Sequence, residues 1–377
     1  MNSSKLLHIH TDPKFLHDTL RYQHPGFYNH IVFLGTNNQQ IQNKLENLSV
    51  DYTIFEINDE TLQLLIEKTA DYDGVVIYEL WDFKVKYLEA LPMHSKVILR
   101  FFGYELYKRV VNQYVSKKTL QYAFPITLEK YSLKNFIKRK IKRFLNREFY
   151  SDTEKQKKLY QKIDAILLVN QYEYEDLKKN FYLPEFIALP LNRAVEVKSF
   201  SKENKIIIGN SKNFWNNHLD VLAIINSVKN IDTQYVVFFN YGEDNLYTEN
   251  VRQETAKNKN IQPIEDFLII DEFDEIYNNA AALVINSYRQ HALGNIFTGI
   301  LKGCKIYLNQ RSSTYKWLIQ HGFLISEIAD LKADLKSNNI YLSPQEQVQN
   351  IGCYQQLQSE YTQEEFLIKI KKLLSHE

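Results

Sequence analysis

The sequence predicts an α/β protein built from two domains, each with a mostly parallel β-sheet. Short runs rich in β-branched and aromatic residues alternate with segments of helical hydrophobic spacing, which is typical of βαβ units. This alternation stops at residues 189–203, which show no clear period, and then starts again. The length of 377 residues fits two domains at about 150 residues each.

The first domain, expected at residues 1–190, contains strand candidates separated by helix candidates. The strand candidates are residues 5–10, 30–35, 52–57, 74–79, 96–102 and 164–170. The helix candidates are residues 38–48, 60–70 and 81–91, where apolar residues recur every three to four positions. Strands that alternate with helices of this length form parallel sheets covered on both faces.

The second domain is expected at residues 204–355, after a linker at residues 191–203. Its strand candidates are residues 205–209, 234–240, 282–286 and 305–309. Its helix candidates are residues 217–228, 245–257, 274–281 and 295–302. The tail is predicted to form two helices, the last at residues 362–375.

The composition excludes several classes of protein. Lys and Arg number 46 against 45 Asp and Glu, and this balance argues against a general nucleic-acid binder. No apolar run approaches the roughly 20 residues of a membrane-spanning helix, and the first residues lack the long apolar core of a signal peptide. Two cysteines make neither a disulfide framework nor a zinc site, so we expect a reducing cytoplasm.

The common phosphate-binding motifs are absent from the sequence. No G-x-G-x-x-G follows the first predicted strand, and no G-x-x-x-x-G-K-[ST] occurs, which excludes a standard dinucleotide dehydrogenase or P-loop ATPase. Asp71-Tyr72-Asp73 matches a metal-binding D-x-D pattern but precedes a strand. Because ligands usually bind beyond the carboxyl ends of strands, a solvated turn is the favoured interpretation of this motif.

Gly209, Asn210 and Ser211 lie between a predicted strand and a predicted helix. The helix is expected to start near Asn217, a residue type suited to the N-cap position. The glycine lets the backbone approach a ligand closely, and the two polar side chains offer contacts at a strand's carboxyl end. A ligand-binding loop and a simple tight turn both remain open interpretations.

A second polar segment, residues 286–295, follows the strand candidate ALVIN and leads into a helix. It contains Arg289, Gln290, Gly294 and Asn295. Helix N-termini attract anions, glycine permits close approach, and arginine brings a fixed positive charge. We therefore favour an anion site, for example for a nucleotide-sugar diphosphate held without metal, over a surface loop whose arginine pairs with a nearby carboxylate.

A basic amphipathic stretch covers residues 130–147, with eight Lys or Arg and no Asp or Glu. Its central charges are Lys138, Arg139, Lys142 and Arg143, and apolar residues recur within it at helical spacing. Such a helix binds anionic lipid at about 1 kcal/mol per basic residue near the surface. A core-packed helix with a solvated basic face is the main alternative, and nucleic-acid binding is a weaker one.

Several titratable side chains of the first domain lie at predicted strand ends. Asp12 leaves the first strand, Glu79 the fourth, and Glu105 follows the fifth; His8 and His10 lie on the first. Each is a candidate for a binding cleft, although a single histidine or glutamate at a strand end is more often structural.

These residues, in this order, resemble the bacterial TDP-N-acetylfucosamine:lipid II N-acetylfucosaminyltransferases of enterobacterial common antigen synthesis. The likeness runs through most of the chain and is patchy in the first third. Two departures are Glu105, where the family usually has Asp, and Arg100, near an expected histidine. The matching residues are Asp12-Pro13, Phe102-Gly103 with Glu105-Leu106-Tyr107, the basic helix, Gly209-Asn210-Ser211, Asn240-Tyr241-Gly242, Tyr247, Val251-Arg252-Gln253, Arg289-Gln290, Gly294, Leu308-Asn309 and Trp317.

The resemblance implies a GT-B glycosyltransferase: two facing Rossmann-like domains, a cleft between them, and a final helix at residues 356–377 that returns to the first domain. It implies no cofactor, a nucleotide-diphosphate sugar donor such as a TDP-linked N-acetylfucosamine, and an undecaprenyl-diphosphate-linked saccharide as acceptor. It places the enzyme as a peripheral protein on the cytoplasmic face of the bacterial inner membrane, held on anionic lipid by Lys138, Arg139, Lys142 and Arg143.

Under this hypothesis the donor diphosphate lies at the helix start of Gly294 and Asn295, and Arg289 stabilises the leaving group. Asp12 first, and Glu105 second, are the predicted catalytic carboxylates. Two other classes remain open: a nucleotide-sugar epimerase of the same fold, and a non-catalytic polysaccharide-assembly protein. The predicted donor-binding residues are Gly209, Asn210, Ser211, Tyr241, Arg289, Gln290, Gly294 and Asn295.

Overall fold

The computed structural model describes residues 3–123, 152–191, 195, 201–228 and 232–375. The chain divides into two compact units. The described part of the first unit comprises residues 3–109, 152–191 and 358–375. The described part of the second comprises residues 110–123, 195, 201–228 and 232–357.

The first unit contains a seven-stranded parallel sheet in the order β3-β2-β1-β4-β5-β6-β7. The strand order reverses between β1 and β4, and the carboxyl ends of these two strands therefore form the place where such sheets bind ligands. Its strands are β1 (Ser4–His10), β2 (Phe27–Leu34), β3 (Asp51–Phe55), β4 (Gly74–Tyr78), β5 (Val97–Arg100), β6 (Ala165–Leu168) and β7 (Glu185–Ala188).

Helices cover this sheet, as the alternating pattern predicted. Most begin at a residue whose side chain accepts a backbone N–H bond, as Asn38, Asn58 and Asn170 do. They are α1 (Gln39–Glu46), α2 (Asp59–Thr69), α3 (Asp82–Ala90), α4 (Tyr104–Tyr107), α7 (Asp152–Tyr160), α8 (Gln171–Lys178) and the terminal α16 (Gln363–Leu374), with a 3₁₀ helix at Pro13–Tyr22.

The terminal helix α16 is part of the core of the first unit. Phe366, Ile370 and Leu374 recur every four residues on one face and pack with the buried strand residues Leu6 and Val76. The contact is close, since a Cβ at Gly74 would lie 2.5 Å from the Leu374 Cδ2 atom. The predicted helix at residues 362–375 is confirmed.

The second unit repeats the topology with a six-stranded parallel sheet in the order β10-β9-β8-β11-β12-β13. Its order reverses between β8 and β11. The strands are β8 (Glu203–Ile208), β9 (Gln234–Phe238), β10 (Ile261–Ile264), β11 (Ala280–Ile285), β12 (Lys305–Leu308) and β13 (Ile325–Glu327). The helices are α5 (Val111–Tyr114), α6 (Lys117–Ala123), α9 (His218–Asn226), α10 (Leu246–Thr255), α11 (Ile270–Asn279), α12 (Leu293–Leu301), α13 (Ser313–Gln320), α14 (Leu331–Ser337) and α15 (Pro344–Glu360).

Residues 110–123 belong to the second unit, which differs from the predicted first domain of residues 1–190. The reason is a set of contacts at long sequence separation. The Ser116 N–H donates to Asn217 Oδ1 at 2.8 Å, and its hydroxyl donates to Asp220 Oδ2 at 2.5 Å. Tyr122 and Ala123 pack against the apolar core of the second sheet.

The central charges of the predicted basic helix, Lys138, Arg139, Lys142 and Arg143, lie outside the described residues. None of the helices in the described ranges is both long enough and apolar enough to cross a membrane.

Candidate functional site

The site in the second unit is built where β8 and β11 end. The Gly209 N–H donates to the carbonyl of Val284 at 2.9 Å, which ties the end of β8 to β11. Gly209 has φ +68°, a left-handed conformation that directs the chain away from the sheet. The next two residues, half-buried Asn210 and buried Ser211, then lie at the carboxyl edge, as predicted.

Gly209 is required by its surroundings as well as by its backbone angle. A Cβ at this position would lie 2.5 Å from Nε2 of His218, the first residue of α9. His218 is fully buried and held by Tyr247, whose hydroxyl accepts the His218 N–H at 2.9 Å and lies 3.0 Å from Nδ1. Burial lowers the pKa of His218 to about 3, so the ring is neutral at physiological pH.

Gly209→Ala is expected to destabilise the protein by about 2–5 kcal/mol, the sum of the left-handed backbone cost and of overpacking against His218. Urea denaturation measures this loss. Gly294→Ala is the matched control for stability, because no atom lies within 4 Å of a Cβ there. Equal unfolding free energies for the two variants would contradict the requirement for glycine at position 209.

Asn217 occupies the predicted N-cap position of α9, but it does not cap the helix with its side chain. It adopts a left-handed conformation, with φ +46°. Its Nδ2 donates to the carbonyl of Asn286 at 2.8 Å, and its Oδ1 accepts from Ser116. Asn217 therefore links three loops of the site instead of satisfying the helix start.

The arginine loop after β11 is buried and fixed. Arg289 is 6% exposed, and its guanidinium lies 4.9 Å from the ring centroid of Trp215. The Ser312 hydroxyl donates to the Arg289 carbonyl at 3.3 Å, and Asn309 Nδ2 donates to Asn286 Oδ1 at 2.8 Å. The loops after β11 and β12 thus hold a guanidinium at the point where the strand order reverses.

Helix α12 begins directly after this loop, two residues earlier than predicted. Ala292 is its N-cap, with φ +56° and no side-chain capping bond. Gly294, in the first turn, is exposed and has open space around its Cα. First-turn N–H groups have no acceptor within their helix, so this end is suited to an anion.

The remaining donor-binding candidates have different surroundings. Asn295 Nδ2 donates to the Tyr277 hydroxyl at 2.9 Å, so this side chain contacts α11. Gln290 is half-buried, and Tyr241 is 51% exposed in the loop after β9. The structure therefore places all of the predicted donor-binding residues in loops or first turns at the carboxyl edge of the second sheet, with different degrees of access.

Three further histidines near these strand ends, His291, His8 and His10, have lowered pKa values. Burial, and then the nearby Arg289 and His218, hold the pKa of His291 well below its usual range. In the first unit, burial lowers the pKa of His8 to about 4 and that of His10 well below its usual range. His10 stacks on Tyr78 with ring centroids 3.7 Å apart, so it is a core residue.

The predicted catalytic carboxylates of the first unit both have structural partners. Asp12 accepts from the Lys14 N–H at 2.9 Å as the N-cap of the 3₁₀ helix, and it forms an ion pair with Lys14 Nζ at 2.7 Å. Glu105 is buried, and its Oε1 accepts from the Leu80 N–H at 3.2 Å. The D-x-D motif lies at the amino end of β4, where Asp73 Oδ2 accepts from the Lys5 N–H at 2.8 Å.

Two further charged residues have to be considered near the carboxyl ends of β1 and β4: Glu79, directly after β4, and Lys84, whose Nζ contacts Thr11 and the Tyr78 carbonyl. Glu79 was considered from the sequence but was not among the predicted catalytic pair, and Lys84 was missed. Lys84 is fully buried on α3, on the face that also buries Phe83, Tyr87 and Leu88. A lysine on the apolar face of an amphipathic helix is the sequence signal that marks it.

Within the described ranges, no group of three or more His, Cys, Asp or Glu side chains could hold a metal ion.

The fold is identified by comparison with known proteins. The sequence matches no protein-family model and no curated protein. Among solved structures, it is similar to a glycosyltransferase from Rickettsia africae ESF-5, with a TM-score of 0.65 and 12% identity over 100% of both chains. It is also similar to Anabaena Alr3699/HepE in complex with UDP and glucose, with a TM-score of 0.61 and 9% identity over 98% of this chain and 99% of that one.

A third similar structure is the lipopolysaccharide outer core galactosyltransferase WaaB, with a TM-score of 0.56 and 10% identity over 98% of this chain and 99% of that one. At such low identity, these likenesses establish the fold. The chain has the GT-B fold with two Rossmann-like domains, and the predicted fold class is confirmed.

Proposed function

We propose that this protein is a glycosyltransferase that binds the diphosphate of a nucleotide-sugar donor at the carboxyl edge of its second sheet. One observation carries the proposal: the buried side chain of Arg289 lies in the loop that leads into the N-terminus of α12, where the strand order reverses. An arginine and a helix N-terminus are two independent sources of positive potential for a diphosphate. The nearby histidines are neutral and add no charge.

Arg289 and α12 can stabilise the charge of a departing nucleoside diphosphate. Hydrogen-bond donors fixed where negative charge develops lower the barrier of a reaction more than donors that must reorganise. The stacking of Arg289 on Trp215 and the bond from Ser312 to its carbonyl provide that fixation. In this proposal the charge compensation is supplied by the protein and requires no metal.

The structures of HepE with UDP, UDP and glucose, and UDP-glucose support a nucleotide-sugar donor in this fold. On the resemblance described above, we propose an aminodeoxyhexose donor such as TDP-N-acetylfucosamine. The acceptor in this proposal is an undecaprenyl-diphosphate-linked saccharide of a bacterial surface polysaccharide. Asp12 and Glu105 are the carboxylates that the sequence assigns to the acceptor side.

The same proposal places the protein peripherally at the cytoplasmic face of the inner membrane, bound to anionic lipid through Lys138, Arg139, Lys142 and Arg143. Two observations support this membrane placement. One is the positive charge of the segment, and the other is the comparison with WaaB, whose name describes a lipopolysaccharide enzyme.

Gly294→Ala is expected to separate nucleotide binding from stability. The added methyl meets no protein atom, so the unfolding free energy stays the same or rises by up to about 1 kcal/mol. It occupies the space proposed for the diphosphate, so affinity falls at least about tenfold, or ~1.4 kcal/mol. Isothermal titration of TDP, UDP and GDP into both proteins measures this, and unchanged affinity would place the diphosphate elsewhere.

A further inference from the structure

We infer that Glu79 is the catalytic residue that takes the proton from the acceptor hydroxyl, and that Lys84 is the positioning residue that holds Glu79 in place. This inference rests on the proposed glycosyl transfer. It assigns the proton acceptor to a residue outside the predicted pair of Asp12 and Glu105.

The backbone of Glu79 is the first argument. Glu79 follows β4 at the reversal of strand order, and its φ is +61°. For a residue with a side chain, this left-handed conformation costs about 1–2 kcal/mol. Its N–H donates to the Arg100 carbonyl at 3.2 Å, which fixes the strained residue to β5. Strain of this kind is maintained by its surroundings and is concentrated at functional sites.

The carboxylate of Glu79 is the second argument. Among the described residues, no N–H or O–H group donates a hydrogen bond to it, and the side chain is half-buried. Asp12, by contrast, caps a helix and pairs with Lys14, and Glu105 is buried against the Leu80 N–H. Of these three carboxylates, Glu79 therefore has lone pairs that meet a substrate hydroxyl without first breaking a protein contact.

Lys84 is the third argument, because it holds the residues on either side of the crevice. Its Nζ donates to Thr11 Oγ1 at 2.9 Å and to the carbonyl of Tyr78. Thr11 directly precedes Asp12, and Tyr78 directly precedes Glu79. One buried ammonium thus connects the ends of β1 and β4 and is bonded to the residue directly before the left-handed Glu79.

The pKa shift of Glu79 agrees with its proposed role as a general base. Burial raises the pKa of Glu79, and the charges of Lys84, Lys14 and Arg100 oppose this rise while that of Asp12 adds to it. Burial also lowers the pKa of Lys84 to about 8, against the attraction of Glu79, Glu105 and Asp12. A carboxylate with a raised pKa is a stronger base than one at its usual value.

In the proposed step, the acceptor O–H bond breaks and its proton passes to the Glu79 carboxylate. The acceptor oxygen forms a bond to the anomeric carbon of the donor sugar. The bond from that carbon to the diphosphate oxygen breaks, and the nucleoside diphosphate leaves with the electron pair. A single displacement inverts the anomeric configuration, so the product linkage is expected to be opposite to that of the donor.

The first experiment compares Glu79→Gln with the wild-type protein in transfer to a lipid-diphosphate saccharide. We expect kcat to fall about 10²–10⁴-fold, the usual contribution of a general base. Binding of TDP, UDP or GDP and the melting temperature should not change. The matched control is Glu56→Gln, an exposed glutamate after the edge strand β3 of the same sheet. Retained turnover in Glu79→Gln, or a product of retained configuration, would overturn the inference.

The second experiment tests Lys84 through the pH profile. Wild-type kcat/KM should fall as pH falls through the pKa of Glu79, since protonation removes the base. Lys84→Met removes a charge that lowers this pKa, so the acid limb should move to higher pH, and Lys84→Arg should move it back. A limb that stays in place in a folded Lys84→Met protein contradicts the positioning role. If the wild-type protein transfers no sugar at all, the proposed function fails instead of this inference.

Discussion

Arg289→Ala is expected to lower kcat about 10²–10³-fold, the loss typical of removing one fixed donor to a developing negative charge. The side chain is 6% exposed and stacks on Trp215, so water replaces its charge poorly once it is gone. The bond from Ser312 is made to the Arg289 backbone carbonyl, so it does not depend on the side chain. Steady-state kinetics with the nucleotide-sugar donor measure the effect.

Arg289→Lys is the matched variant, because it keeps the charge and removes the planar fork of donors. We expect it to be intermediate, since lysine does not reproduce the bidentate and stacking geometry of arginine. Far-UV circular dichroism and melting temperature check that both proteins are folded. Full turnover in folded Arg289→Ala would remove this residue from the leaving-group role.

Reversing the four charges Lys138, Arg139, Lys142 and Arg143 to glutamate is expected to abolish binding to anionic vesicles. At about 1 kcal/mol for each basic residue, the loss of four attractions lowers the partition coefficient by roughly 10³-fold. Flotation with equimolar phosphatidylglycerol and phosphatidylcholine measures it, with phosphatidylcholine alone as the uncharged reference. High salt should weaken wild-type binding in the same way.

The control for this experiment is charge reversal at three exposed lysines of α16, Lys369, Lys371 and Lys372. These residues lie on a helix whose apolar face packs in the first unit, so their loss changes net charge without changing the basic segment. Equal flotation of the two multiple variants would contradict a specific membrane role for residues 130–147.

Much of the fold follows from local hydrophobic patterns. Within the described residues, the predicted strands and helices of both units were found, with ends shifted by a few residues. Three short strands were missed: β7, β10 and β13. β10 contains Pro263, and proline disfavours a strand; β10 is an edge strand, where a missing N–H is tolerated.

The division of the chain could not be obtained from local patterns. The contact between Ser116 and Asn217 joins residues 101 positions apart, and no property of residues 110–123 alone indicates that partner. A domain boundary drawn at a break in periodicity therefore assigns this segment to the wrong unit. The resemblance to a fucosyltransferase family likewise extends only as far as the fold in the structural comparisons.

The residues proposed for donor binding were easier to select from the sequence than the residues proposed for the acceptor. Gly209, Arg289 and Gly294 follow from the rule that ligands bind beyond strand ends, because each lies in a loop after an apolar strand or in the first turn of a helix. Glu79 was distinguished only by its left-handed backbone and by the absence of a donor to its carboxylate among the described residues, and neither property can be obtained from sequence. Lys84 could have been found from the apolar face of α3.

The central claim is that the protein transfers a sugar from a nucleotide donor. Its most direct test incubates the wild-type protein with TDP-, UDP- and GDP-linked sugars and an undecaprenyl-diphosphate-linked saccharide, and analyses the lipid products by mass spectrometry. We expect an acceptor whose mass has increased by one sugar residue, with release of the matching nucleoside diphosphate. An unmodified acceptor with every donor, or a donor converted only to an isomer of the same mass, would contradict the account.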